Sequence, residues 1–229
     1  MPVSAPPRAL SALVGLPVLL FALITWQVVA DGPLVGVDER LSGALVHPDR
    51  FSELLADLGN VQVAVPVLVV ALAYVAWHGR VRGVDLWWLP PLAGALAMVL
   101  VPALVAPLKE WTDRPGTPAV PPAVGYYPSG HTATAVVAYG TATLLLVPLL
   151  RSPVVRRALV VLCAVLVLGT SYGLVRRGYH WPLDVVASWC LGVVLLAGVR
   201  LAVRRTPPGV SRSTRRSSSG TPSSSNGPS

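Results

Sequence analysis

An all-α bundle of six membrane-crossing helices is the fold class this sequence predicts, on three observations. Hydrophobic side chains make up 53% of its 229 residues and charged ones only 12%, with a mean hydropathy of +0.64. Apolar runs of about 20 residues recur along the chain, and a helix needs about that length to cross a hydrocarbon core of roughly 30 Å. Lys and Arg gather in alternate connections between the runs, as in multi-pass membrane proteins. An ordinary soluble domain is excluded by this balance. The net charge of +8 is therefore read as membrane topology before nucleic-acid binding, and no nucleic-acid partner is expected.

The runs follow in order. Ala9 to Ala30 is the first; its charged start and small-residue end have the look of a signal sequence, but its length and the runs after it favour an uncleaved anchor. Asp31 to Asp57 is a polar connection with six of the ten acids. Val37, Leu41 and Leu45, then Phe51, Leu54, Leu55 and Leu58, recur at helical spacing there and predict short amphipathic helices along the membrane surface. His47 reads as a solvated loop residue. The second run, about Leu58 to Trp77, ends at His78, Arg80 and Arg82. The third, about Val84 to Leu108, ends at Lys109, and a Pro-rich connection continues to Pro128. The fourth is about Thr132 to Leu150, the fifth Ala158 to about Val175, the sixth Pro182 to about Val203. Cys163 and Cys190 fall inside runs without ligand spacing and read as small core residues. Residues 1–205 are thus expected to form the membrane domain. Residues 206–229, rich in Ser, Pro, Gly and Arg, are expected to be a disordered basic cytoplasmic tail.

Six crossings put both termini on one side. Twelve of the eighteen basic residues lie on that side, against one acid, Asp85. Basic connections stay cytoplasmic, so both termini are expected inside, and segments 31–57, 109–131 and 176–181 face outward.

Those outward segments hold the polar residues that an apolar bundle does not need. Ser129 in Pro128-Ser129-Gly130-His131 is a natural N-cap, with Gly130 and His131 in the first turn of the helix it starts. A helix start carries unpaired N–H groups and a partial positive charge, so it suits a phosphate. Lys109 closes the third run; a lysine there is favoured by the helix dipole alone, yet positive charge is otherwise scarce on this face. In Arg176-Arg177-Gly178-Tyr179-His180-Trp181-Pro182-Leu183-Asp184, Pro182 fits the first helical position. Asp184 then falls in the opening turn, within reach of one ring nitrogen of His180. Such a contact fixes the tautomer, frees the other nitrogen to attack and stabilises the imidazolium. An ionisable group at the edge of an apolar span is costly without a role.

In order and spacing, Lys109…Arg114-Pro115, Pro128-Ser129-Gly130-His131 and His180-x-x-x-Asp184 resemble the signatures of the type 2 phosphatidic acid phosphatase (PAP2) superfamily, over about residues 30–203. The resemblance implies a six-helix bundle with a PAP2/haloperoxidase-like core. It implies hydrolysis of a lipid phosphate or diphosphate through a phosphohistidine, with no metal and no cofactor. His180 would be the nucleophile, Asp184 its orienting partner and His131 the general acid and then base. Lys109, Arg114, Ser129, Gly130, Arg176 and Arg177 would hold the phosphoryl oxygens, since phosphoryl transfer asks mainly for positioning and counter-charge. The partners implied are membrane lipids, and the site would face outward from the cell membrane.

The sequence departs from that pattern in two places. The family's first motif has Arg-Pro seven and eight residues after its Lys, where Gly116 and Thr117 stand here; Arg114-Pro115 comes two residues early. The third has an Arg six residues before its His, where Leu174 stands, so Arg176 or Arg177 would have to substitute. Phosphatidic acid, phosphatidylglycerol phosphate and polyprenyl diphosphate all carry the required head group. A non-catalytic relative that binds phospholipid head groups is the alternative that the displaced arginines support. An intramembrane serine protease using Ser129 with His180 would lack a Gly-x-Ser-Gly signature, because Tyr127 stands at the Gly position.

Overall fold

A computed structural model of the chain describes residues 7–204, and every regular element within them is a helix. The elements are α1 (Pro7–Val29), α2 (Pro33–Leu45), α3 (Arg50–Asp57), α4 (Val61–Val81), α5 (Leu89–Thr112), α6 (Gly130–Leu146), α7 (Pro153–Arg176) and α8 (Pro182–Arg204). The tail from residue 206, expected to be disordered, lies outside the described residues. Helices α4, α5, α6 with a short 3-10 extension (Val147–Leu149), α7 and α8 are each long and apolar enough to cross a membrane. A sixth crossing is counted when residues 14–29 are taken with α2, from which they are bent by 89°. The protein is an all-helical, multi-pass membrane protein.

Helix α6 is the centre. Its sequence is small and apolar on every side, and Ala133, Ala135, Val137, Ala138 and Thr141 are all fully buried. In lipid, helices associate by close packing rather than by hiding apolar surface from water, so small residues let the neighbours approach. Helices α4, α5, α7 and α8 surround α6, while α1 packs on α8 and α3 on α7. The outward faces of α4, α5 and α7 keep large exposed side chains such as Val70, Leu100 and Val161, as lipid-facing surface does.

Two boundaries differ from the sequence expectation for local reasons. The fourth run gives way at Leu146 rather than Leu150, since Pro148 has no N–H to continue the ladder. The third begins at Leu89 rather than Val84, because Gly83 (φ 63°) and Leu86 (φ 55°) turn into the left-handed region first.

The amphipathic pair α2 and α3 is fastened to the bundle rather than lying free on the membrane surface. Asp49 caps α3 through a reciprocal box with Ser52, and its Oδ2 accepts from Arg176 Nε at 2.9 Å. The Ser52 amide and then the Arg176 guanidinium hold the Asp49 carboxyl down to about 2. A carboxyl lowered this way contributes above its unfolded value of about 4, and that contribution is lost as the pH falls toward 2. Gly173 of α7 sets how closely α3 docks. A Cβ there would meet Ala56 N and Ser52 O, both backbone atoms, at 2.5 Å. Gly173→Ala is therefore expected to cost about 1–3 kcal/mol. The check is thermal unfolding in detergent, with Gly36→Ala as the control, since a Cβ at Gly36 meets nothing within 4 Å.

Candidate active site

One end of the bundle gathers the start of α4, the end of α5, the starts of α6 and α8 and the loop after α7. A cavity of about 1090 Å³ opens there. Lys109, Gly130, His131 and His180 all line it, with Asp57, Asn60, Tyr126 and Tyr179. Away from these groups the wall becomes apolar, formed by Val61 and Val65 of α4 and by Met98, Val99, Val101, Pro102 and Val105 of α5. Met98 lies eleven residues before Lys109 on the same helix, so the trough reaches roughly 16 Å along the bundle from the lysine.

The His180–Asp184 contact that the spacing predicts is present. Pro182 opens α8, Asp184 sits in its first turn, and His180 Nδ1 donates to Asp184 Oδ2 at 3.1 Å. The Trp181 backbone N–H donates to the same oxygen at 3.1 Å. With Nδ1 held, Nε2 is the ring nitrogen left with a lone pair. Tyr126 stands edge-on to the ring, with centroids 5.8 Å apart.

Ser129 caps α6, and its Oγ accepts the Thr132 N–H at 3.3 Å. It is completely buried and does not line the cavity, so its side chain serves the helix while the following Gly130 reaches the cavity wall. The Ser129 backbone joins the two motifs: its N–H donates to the Asp184 carbonyl, and its carbonyl accepts from Ser188 Oγ. His131 follows, with Nε2 2.7 Å from Asn60 Oδ1, and Asn60 Nδ2 in turn donates to Asp57 Oδ1 at 2.9 Å. Lys109 Nζ donates to the Gly125 carbonyl at 2.9 Å and stands 6.0 Å from the Tyr126 ring centroid. Among the described residues, no three His, Cys, Asp or Glu side chains are grouped to hold a metal ion.

The three arginines expected at the phosphate are each paired with acidic side chains. Arg114 is buried between two carboxylates, with Nη1 2.6 Å from Asp184 Oδ1 and Nη2 2.6 Å from Asp38 Oδ2. Its guanidinium also lies 5.4 Å from the Trp181 ring centroid. Arg176 pairs with Asp49, while Arg177 reaches Tyr179 Oη at 3.1 Å and Glu53 at 3.8 Å. The last turn of α7 faces α3, so both arginines meet acids that sequence alone assigns to a solvated connection. None of the three lines the cavity. Asp38, Asp57 and Asn60 were not singled out from sequence. The one signal for the two aspartates is the concentration of six acids in a connection on a face poor in basic residues.

The connection between α5 and α6 is tied to the bundle at several points. Tyr127 is fully buried and its hydroxyl shares a 2.6 Å hydrogen bond with Thr25 of α1. Burial pushes that phenol above its ordinary range, so it stays neutral. Trp181 Nε1 donates to the Pro115 carbonyl at 3.0 Å, and Thr117 Oγ1 donates to the Gly178 carbonyl. These bonds tie the loop carrying Arg114 to the loop carrying His180.

Fold and site together define a multi-pass helical membrane protein with imidazoles and a lysine lining one cavity at an end of the bundle. The sequence profile of the PAP2 superfamily matches residues 90–207, which include all three motifs, and the chain belongs to that superfamily. A stretch of 66 residues is 48% identical to an undecaprenyl-diphosphatase of Sulfolobus acidocaldarius, covering 29% of this chain and 28% of that protein. The match thus spans under a third of that relative's length. The fold is similar to the crystal structure of a transmembrane PAP2-type phosphatidylglycerolphosphate phosphatase from Bacillus subtilis. The TM-score is 0.67 and the identity 24%, over 82% of this chain and 96% of that one.

Proposed function

We propose that the protein hydrolyses a lipid phosphate or diphosphate at the outer leaflet through a phosphohistidine, without a metal. The observation that carries this is the single cavity in which Lys109, Gly130, His131 and His180 share a wall that continues as an apolar trough between α4 and α5. A head group and an acyl or isoprenoid chain need those two surfaces side by side. The names of the two similar proteins, a diphosphatase of undecaprenyl and a phosphatase of phosphatidylglycerolphosphate, support a lipid substrate.

In this reading Nε2 of His180 attacks the terminal phosphorus and its bond to the leaving oxygen breaks, which is the lipid's own oxygen in a monophosphate and the bridging oxygen in a diphosphate. Asp184 stabilises the imidazolium character that develops. The leaving oxygen takes the place of Asn60 Oδ1 at His131 Nε2 and accepts its proton. Neutral His131 then takes a proton from water, the oxygen attacks phosphorus, the P–N bond breaks and inorganic phosphate departs. Lys109 and the Gly130 N–H supply counter-charge to the equatorial oxygens. The arginine pairings leave Lys109 as the one Lys or Arg among the cavity-lining residues. The excess of basic residues on the opposite connections supports an outward-facing site with both termini inside.

The arginine pairings also favour a second reading, a non-catalytic protein that binds phospholipid head groups. Purified protein incubated with a short-chain lipid phosphate in EDTA separates the two. Hydrolysis predicts sustained release of inorganic phosphate, with glycerol phosphate a much poorer substrate because it leaves the trough empty. Binding of the lipid with no phosphate release would support the second reading instead.

A further inference from the structure

We infer that Asp38 and Arg114 are positioning residues for His180: Asp38 satisfies the charge of Arg114, so that Asp184 keeps its own negative charge for the imidazole. The inference rests on His180 being the group that reacts, and it concerns a layer behind that group rather than the phosphate contacts. Asp184 is completely buried and divides its oxygens, Oδ1 to Arg114 and Oδ2 to His180. A guanidinium paired with Asp184 alone would cancel its charge and leave a developing imidazolium facing a neutral pair. Asp38, 2% exposed on α2, prevents this. Its Oδ2 accepts from Arg114 Nη2 at 2.6 Å and its Oδ1 from the Leu183 N–H at 2.9 Å, so both oxygens take donors that act against the burial that raises this carboxyl. Two carboxylates and one guanidinium leave one net negative charge, and His180 is the group placed to share it.

The same contacts fix geometry. Arg114 lies over the Trp181 ring, and Asp38 grips the backbone of Leu183, one residue before Asp184. Helix α2, otherwise a surface element, is thereby coupled to the first turn of α8. An arginine two residues early in its motif thus has a place behind the His–Asp pair instead of at the substrate.

The test compares the full-length protein in detergent with Asp38→Asn, Asp38→Glu and the double variant Asp38→Asn/Arg114→Gln. The first readout is the pH dependence of His180 modification by diethyl pyrocarbonate, followed by mass spectrometry. The reagent takes neutral imidazole and needs no substrate. The other titratable groups that face His180 or share its cavity are Lys109 on α5, Tyr126, His131 on α6, Tyr179 and Asp57, and all are unchanged in every variant. Asp38→Asn is expected to move half-maximal modification to lower pH by about half a unit or more, because Arg114 then cancels Asp184. The double variant, which removes one charge of each sign, is expected to return it toward the unsubstituted protein. Asp38→Glu, which keeps the charge, is expected to match the unsubstituted protein. The second readout is turnover of the short-chain lipid phosphate: about a tenfold lower kcat in Asp38→Asn with KM little changed, and most of the loss recovered in the double variant.

An Asp38→Asn curve superimposed on that of the unsubstituted protein overturns the inference. So does a double variant no closer to normal than the single one, or an Asp38→Glu that behaves like Asp38→Asn. If the modification curves move as expected while even the unsubstituted protein releases no phosphate, the proposed hydrolysis fails and the charge arrangement stands.

Discussion

Replacing His180 with alanine is expected to reduce phosphate release to background, a loss of about 10⁴-fold or more. In the proposed mechanism every later step passes through the bond its Nε2 forms, and removing a covalent nucleophile costs far more than removing a single binding contact. The fold is expected to survive, because Asp184 keeps Arg114 at 2.6 Å and the Trp181 amide at 3.1 Å. A monodisperse His180→Ala protein without turnover is thus the expected outcome, read by phosphate release beside thermal unfolding. Turnover retained within about tenfold would remove His180 from the nucleophile's role.

Arg114→Met is expected to destabilise the protein by about 3–5 kcal/mol, more than Gly173→Ala does. Asp38 and Asp184 would be left as buried carboxylates with no cation between them. Arg176→Met is the informative contrast. Its pair with Asp49 is 32% and 41% exposed, so solvent screens it and the loss is expected to be much the smaller of the two. Thermal unfolding of both variants in one detergent checks the order. An Arg114→Met protein as stable as Arg176→Met would mean that the buried cluster does not hold the loop in place.

Local chemistry is what the sequence made legible. Apolar run length fixed the all-helical membrane class, since a crossing leaves little freedom in length or polarity. Ser129 as the cap of α6, and Pro182 and Asp184 in the first turn of α8, were readable because a cap or a first-turn contact spans only a few residues. What sequence could not supply was the partner of each arginine. Arg114 meets Asp38 across 76 residues, and Arg176 meets Asp49 across 127. Spacing within a motif says nothing about contacts that far apart along the chain. The same limit hid Asn60, which reaches His131 across 71 residues from the start of α4. The residues assigned from the resemblance to hold phosphate divide accordingly. Lys109 and Gly130 line the cavity, while Ser129 and the three arginines are engaged in holding the structure around it.

The central claim is that His180, His131 and Lys109 act on one phosphoryl group, and rapid quenching of the protein with labelled short-chain lipid phosphate tests it most directly. Peptide mapping is predicted to find alkali-stable, acid-labile phosphate on His180, formed with EDTA present and missing from His180→Ala. Steady release of phosphate with no label on His180, or label on another residue, would contradict it.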